Sequence, residues 1–342
     1  MSRRTPGSKR AKKLKSAIKI KLSALSFPVD FGVFIRPERE RFEELLSEVR
    51  AVEALGYRSV WISDHLLGLY GDPGSSRFEC WTTTSTLALA TSRIRLGQLV
   101  LCGPFRHPPL LAKEAATLDA ISGGRLELGI GAGWHRPEFT AYGYPFEGPA
   151  ARIGRLEEAV QIMKMMWTEP RPNFEGRYYR IEEAYCSPKP AQKPHPPLMI
   201  GGGGERLLLR VVARHADVCN FAAWVGTPED YRRKREALDG HCEAVGRSPE
   251  EIRGSWAAFV VIKEDAKEAE EGAKRFAESM SSVSQGPPDA YMPAIYGSPG
   301  ECIEQVQSYV DVGVSLFILS FLGGDFKSEA TLFAEEVAPA FK

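Results

Sequence analysis

The chain has 342 residues, 43% hydrophobic and 26% charged, with a formal net charge of zero, ample for one large domain and ordinary for a soluble globular protein. No apolar run approaches the ~18–20 residues a membrane span needs. The six cysteines (Cys80, Cys102, Cys186, Cys219, Cys242, Cys302) form no CxxC pair and the six histidines no HExxH spacing, which argues against a disulfide scaffold or zinc site and for free thiols in a reducing cytoplasm.

Nine of the 44 basic residues fall within residues 1–27, beside no acid, so the rest carries a balance of −9. An acidic body gives no footprint for nucleic acid. The basic stretch lacks an apolar core and a helix cap, and is expected to be a disordered tail; an organelle-targeting or anionic-surface segment is the other reading.

From Asp30 onward strand and helix signals alternate. Asp30–Ile35 reads as a buried strand, and Pro37 opens a helix carrying Leu45, Leu46, Val49, Val52 and Leu55 to a stop at Gly56. Ser59–Ile62 is the second strand and runs into Ser63-Asp64-His65; Thr82–Ala90 is a helix. Ile94–Leu101 is the third strand, followed by a helix from Pro108 to Ile121. Arg125–Ile130 is the fourth, and a long loop, 131–150, leaves it; loops of that length in compact domains are usually functional. A helix covers Ile153–Trp167. Residues 169–197 hold seven prolines and a hairpin at Phe174–Tyr179, an inserted excursion rather than a domain boundary. The rhythm resumes with strand Leu198–Ile200, helix Glu205–His215, strand Asp217–Phe221, helix Pro228–Val245, strand Trp256–Ile262 and helix Ala266–Met280. Residues 283–297, rich in Gly, Pro and Ser, read as a second mobile loop. Helix Pro299–Val312, strand Leu316–Ser320 and helix Glu329–Val337 close the chain.

Eight short apolar strands interleaved with helices give an α/β class and a (β/α)8 TIM barrel over residues 28–342, with excursions at 169–197 and 283–297. An open doubly wound sheet would need a GxGxxG turn after the first strand, and Phe31–Arg36 offers none.

In such a barrel the residues at the carboxyl ends of the strands carry the chemistry. His65 leaves strand two, where an imidazole can bond a ring substituent or move a proton near neutral pH, with Asp64 orienting it or the nearby backbone; a capping or core pair is the plainer alternative. Cys102 is a pocket liner. Arg106 and His107 either serve an anion or open a helix. Gly131 and Gly133 let backbone approach a flat or phosphorylated ligand. Trp134 and Glu138 follow on the loop with Phe139, Tyr142 and Tyr144, an aromatic cluster suited to a ring system or an apolar substrate, or to a loop packed on itself. Glu138 is a pocket acid or an ion-pair partner. Gly201, Gly202, Gly203 and Gly204 precede the helix expected from Glu205, and amides so exposed at a helix start suit a phosphate.

The ordered set of motifs resembles the luciferase-like monooxygenase superfamily over roughly residues 30–340. The carrying residues are Ser63-Asp64-His65, Glu79-Cys80-Trp81-Thr82, Arg106-His107-Pro108, Thr117–Arg125, Gly129–Trp134, Glu175–Tyr179, Ser187–Pro190, Ile200–Gly204 and Ala216-Asp217. The resemblance implies a TIM barrel with an insertion that binds FMN or the deazaflavin coenzyme F420, the wording being most similar to the F420-dependent oxidoreductase branch. It further implies that His65 contacts the deazaflavin, that a non-proline cis peptide at Leu99-Val100 buttresses the ring, that Gly201–Gly204 receives the cofactor phosphate, and that the protein is a homodimer. The chain departs from the branch's sugar-phosphate dehydrogenases, with Trp134 where they carry a glutamate and Pro137 where an asparagine would stand.

The expectation is a cytoplasmic oxidoreductase that transfers hydride between F420 and a small organic substrate, with His65 tuning or protonating the reacting region and no metal. The alternative is an FMN-dependent monooxygenase using reduced flavin and O2, with a flavin or F420 reductase as a possible supplier of reduced cofactor. A third reading, a barrel that binds cofactor without turnover, is kept open by Trp134. No nucleic acid or membrane partner is expected.

Overall fold

A computed structural model describes residues 26–342 other than 70, 224–225 and 285–286. The basic tail expected at residues 1–27 therefore lies almost wholly outside the described residues.

Eight parallel strands form the barrel: β1 (Asp30–Phe34), β2 (Ser59–Ile62), β3 (Arg95–Gln98), β4 (Leu126–Gly131), β5 (Leu198–Gly201), β6 (Val218–Phe221), β7 (Arg253–Ile262) and β8 (Leu316–Phe321). Each pairs with the next, and β8 pairs back with β1 through Asp30 opposite Leu316, so the sheet is closed. The period of two is kept throughout. Val33, Val60, Ile62, Leu96, Leu128, Ile130 and Phe317 join the large core that also takes in the surrounding helices, whereas Trp61, Met199, Val218, Leu316 and Ile318 form a second cluster inside the barrel.

Trp61 fills that interior because its neighbours make room. It sits opposite Gly97, where a Cβ would overlap the six-membered ring of the indole, and a Cβ on Gly32 would stand 2.6 Å from its Nε1. Its Nε1 donates to Ser59 Oγ at 2.8 Å, so the buried donor is satisfied.

Several boundaries differ from the sequence reading. Pro37 belongs to the loop, its carbonyl accepting the Phe78 amide, and the helix begins at Phe42. Strand β3 stops at Gln98; after the cis Leu99-Val100 bond the chain resumes pairing at Leu101–Cys102, against Ile130 and Gly131. The helix expected from Glu205 begins at Leu208, because residues 205–207 form a turn. The loop 131–150 contains a short helix, Arg136–Ala141, and the next helix runs Pro149–Thr168. The expected loop 283–297 is partly ordered. The helix before it reaches Ser284, and Ile295–Gly297 is a strand alongside Val260–Ile262; the Gln305 side chain, which accepts from the Tyr296 amide at 2.8 Å and donates to its carbonyl at 2.9 Å, occupies the strand's other edge.

The excursion 169–197 carries the expected hairpin, Phe174–Glu175 against Arg180–Ile181. The Glu158 carboxylate holds its turn by accepting the amides of Arg177, Tyr178 and Tyr179 at 2.7–2.9 Å. Among the described residues no helix is long and apolar enough to cross a membrane.

Candidate functional site

The last inward-facing residues of the strands, Phe34, Gly131, Gly201, Asn220, Phe259 and Ser320, line one cavity of about 810 Å³ at the carboxyl end of the barrel. That volume is in the range of small-molecule and cofactor sites. Its position at this face is where strand ends converge in every (β/α)8 barrel.

Val100 gives the cavity a flat apolar wall. A Cβ on Gly131 would stand 2.9 Å from Val100 Cγ2, and one on Gly201 2.8 Å from Cγ1. Both glycines are thus what seat the Val100 side chain, across β4 and β5. Gly133 has φ +73°, and a Cβ there would meet Cys102 Sγ at 2.7 Å and Phe139 Cζ at 2.8 Å. These three glycines are required sterically, not only for turning.

His65 lines the cavity, and its ring is held from behind. Nδ1 lies 2.9 Å from Glu138 Oε2 and 3.1 Å from Oε1. The same carboxylate accepts the amides of Leu66 at 2.6 Å and Leu67 at 3.1 Å. Arg77 fixes the backbone beneath, donating to the His65 carbonyl at 2.9 Å and to Ser63 Oγ at 2.6 Å. Glu138 is 2% exposed. Burial pushes its carboxyl up, but the hydrogen bond and charge of His65 and the Leu67 and Leu66 amides outweigh burial and hold it below the usual carboxylate range. It therefore stays ionised and accepts the hydrogen bond from Nδ1–H, which leaves Nε2 as the ring nitrogen that can give or take a proton. No hydrogen bond to Nε2 is present among the described residues.

Glu138 thus resolves to the ion-pair partner of the two expected roles, acting through His65. Asp64 takes neither His65 nitrogen. Its carboxylate accepts the Cys102 amide at 2.8 Å and both Arg106 nitrogens at 2.5 and 3.0 Å. Arg106 is completed by Glu79 at 2.7 Å, which in turn caps the helix Cys80–Ala90. Arg106 is thus spent on carboxylates of the protein itself, neither of its two expected roles, and it is His107 that stands at the N-cap of the helix Pro108–Ile121. Cys102 lines the cavity, and burial, with the charges of Asp64 and Glu138, pushes its thiol well above the usual range; it is a wall, not a nucleophile.

Trp134 is 63% exposed and stands edge-on to His65, ring centroids 5.8 Å apart, and to His135 at 5.0 Å. Burial pushes His135 down, against the charge of Glu138. Phe139 and Tyr144 pack within the loop cluster, Phe139 on Phe105 at 5.1 Å and Phe146 at 5.0 Å and Tyr144 on Phe105 at 4.8 Å, whereas Tyr142 is exposed and its hydroxyl donates to the Leu66 carbonyl at 3.2 Å.

Gly201, Gly202 and Gly204 line the cavity with Gly131 and Gly133. Gly203 is turned to Lys234, whose Nζ donates to its carbonyl at 2.8 Å. The sequence reading singled out none of Phe34, Asn220, Phe259 and Ser320, and it missed two further contributors. One is the helix Ala266–Ser284, which brings Phe276, Met280 and Val283 to the cavity. The other is Arg152, in the first turn of Pro149–Thr168. Only its place at the exit of the long loop hinted at it. Among the described residues no group of three or more His, Cys, Asp or Glu side chains is arranged to hold a metal ion.

The luciferase-like monooxygenase family profile matches residues 26–316. The chain is similar to the FMNH(2)-dependent dimethylsulfone monooxygenase of Pseudomonas putida, 27% identical over 327 residues, covering 88% of this chain and 84% of that one. It is similar to the F420-dependent glucose-6-phosphate dehydrogenase of Intrasporangium calvum, 29% identical over 328 residues, covering 87% and 95%. Among solved structures, an F420-dependent secondary alcohol dehydrogenase in complex with an F420-acetone adduct superposes with a TM-score of 0.81 at 21% identity, covering 92% of this chain and 99% of that one.

Proposed function

Because this chain belongs to the luciferase-like monooxygenase family and is an oxidoreductase, we propose that it transfers hydride between the deazaflavin coenzyme F420 and an organic substrate. The observation that carries the reading is the pairing of a flat apolar wall, Val100 seated on Gly131 and Gly201, with an imidazole beside it whose Nδ1 is committed to Glu138. Hydride exchange at a carbinol carbon needs a ring held face-on and a base for the hydroxyl proton.

The residues fit such a group. Val100 and the glycine exits would hold the ring, and Gly201, Gly202 and Gly204 would meet its phosphate-bearing side. When bound, the deazaflavin supplies a two-electron hydride donor or acceptor. His65 takes or returns the substrate's hydroxyl proton at Nε2, and Glu138 stabilises the imidazolium that results. Leu69, Phe259, Phe276, Met280 and Val283 give the cavity an apolar wall, which supports a substrate with a hydrocarbon body. Trp134, edge-on to His65, would shield one side of the exchange from water.

The second reading is an FMN-dependent monooxygenase, supported by the dimethylsulfone monooxygenase relative; a separate reductase would then supply reduced flavin. Titration of purified apo-protein with F420 and with FMN, followed by fluorescence, tests the choice. Tight F420 and weak FMN binding supports the hydride-transfer reading. Tight FMN binding with oxygen uptake replaces it.

A further inference from the structure

Arg152 stands in the first turn of the helix Pro149–Thr168. That helix packs against the helix Pro108–Ile121, the turn Gly103–Phe105 and the helix Leu208–His215, the last of which follows the glycine run. Its side chain lines the same cavity as Gly201, Gly202 and Gly204. Its Nε and Nη1 are buried and have no hydrogen-bond partner among the described residues. Phe146 covers the guanidinium, 4.1 Å from its carbon to the ring centroid.

A guanidinium keeps its charge under all ordinary conditions and offers a planar fork of donors. Burying such donors unpaired is costly. Other cations around the site are spent: Arg39 on Glu48, Arg106 on Asp64 and Glu79, Lys234 on the Gly203 carbonyl and Glu205. The cation–π contact with Phe146 holds the Arg152 fork in place but satisfies none of its N–H groups.

We propose that Arg152 binds the phosphate of the cofactor, completing with the glycine run a two-sided oxyanion site. The proposal rests on the cofactor-binding reading above, but not on which cofactor binds. Its place in the cavity that Gly201, Gly202 and Gly204 also line, on a helix packed against the one that follows the glycine run, favours the cofactor's phosphate over an anionic group on the substrate.

Two ligand pairs that differ at the phosphate test it: F420 against its ring–ribityl fragment without the phosphate and everything beyond it, and FMN against riboflavin. Dissociation constants are measured by fluorescence for the wild type, Arg152→Met and Arg152→Lys, with circular dichroism to confirm folding. Arg152→Met weakens the phosphorylated member of the tighter pair by roughly 10- to 100-fold, the range for a charged hydrogen bond, and leaves the other member within about twofold. Arg152→Lys recovers part of the loss, because the charge returns without the fork. An equal loss for both members, or no loss for either, overturns the proposal and assigns Arg152 to packing or to the substrate. If FMN is the tighter cofactor and Arg152→Met still separates FMN from riboflavin, the F420 reading fails and the Arg152 site stands. A wild type that binds none of the four overturns both.

Discussion

His65 Nδ1 and Glu138 Oε2 stand 2.9 Å apart, although 73 residues separate them in the chain. One leaves β2, the other lies in the short helix after β4, and closure of the barrel brings the two exits together. The carboxylate fixes the ring through Nδ1, and it fixes the β2 exit through the Leu66 and Leu67 amides. In the hydride-transfer reading proposed above, His65 moves the proton and Glu138 is a positioning residue that acts through it.

His65→Ala is expected to lower kcat by about 10²- to 10⁴-fold, the usual contribution of a positioned general acid–base, while cofactor affinity moves only a few-fold. Glu138→Gln is expected to lower kcat by a smaller factor and to displace the pH–rate profile, since a neutral amide can present either its donor or its acceptor to Nδ1 and no longer stabilises the imidazolium. The double variant is expected to be no slower than His65→Ala, because the two act as one unit. Additive losses would show that Glu138 works independently of His65.

The pH dependence of stability follows from the same carboxylate. Burial raises the Glu138 carboxyl, but His65 and the Leu67 and Leu66 amides overcome burial and set it below its ordinary 4.5. A carboxyl lower in the folded than in the unfolded state adds stability that is fully present above its unfolded value and is lost as pH falls through the folded value. The stability advantage of the wild type over Glu138→Gln is therefore expected to be constant near neutral pH and to shrink as the solution is acidified below about pH 4.5. Urea midpoints of both proteins across that range measure it, and an advantage that persists unchanged in acid would refute the assignment.

The strand rhythm, the glycine exits and the place of His65 are legible in the sequence because each depends on local spacing: a short apolar run marks Val60–Ile62, and glycine marks positions 131 and 201. The partner of His65 is not, because nothing local distinguishes Glu138 from a surface glutamate. The sequence offers Asp64 as orienting His65 or the nearby backbone; it bonds the backbone amide of Cys102 and, in addition, a bidentate Arg106, which only three-dimensional proximity reveals. Arg152 reads as one charge on an amphipathic helix; its burial against Phe146 depends on how the long loop folds back. The start of the helix after the glycine run was set three residues early, since glycine followed by a charged residue marks the end of a strand without saying how long the turn is.

Gly201→Ala is expected to weaken cofactor binding about tenfold or more with little loss of fold. The new Cβ would stand 2.8 Å from Val100 Cγ1 and 3.0 Å from Cγ2, so Val100 must rotate or shift and the wall it presents is disturbed. Overpacking of this kind costs roughly 1–3 kcal/mol, a loss the barrel can bear. Val100→Ala in the same protein removes both methyl groups and is expected to restore part of the affinity. If Val100→Ala brings no recovery, the glycine serves the ligand directly and not through Val100.

The Trp61 packing makes a sharper demand, because two glycines meet different parts of one indole. A Cβ on Gly97 would overlap Cε3 and Cζ3 of the six-membered ring, whereas a Cβ on Gly32 would meet Nε1 and Cδ1 of the five-membered ring. Trp61 is fully buried, so neither overlap can be relieved by swinging into solvent. Gly97→Ala and Gly32→Ala are each expected to destabilise the protein by about 1–3 kcal/mol or more. A phenylalanine at position 61 lacks the outer ring of the indole, and its own ring occupies the region nearer the Cβ. Trp61→Phe is therefore expected to rescue Gly97→Ala in a double-mutant cycle, with a coupling of roughly 0.5–3 kcal/mol, and to rescue Gly32→Ala less. Denaturant unfolding of the wild type, of the three single variants Gly97→Ala, Gly32→Ala and Trp61→Phe, and of the two double variants that join Trp61→Phe to each glycine substitution gives both couplings. Equal couplings would mean that the barrel relaxes as a whole, and the indole would not be the rigid wedge that its contacts with Gly97 and Gly32 describe.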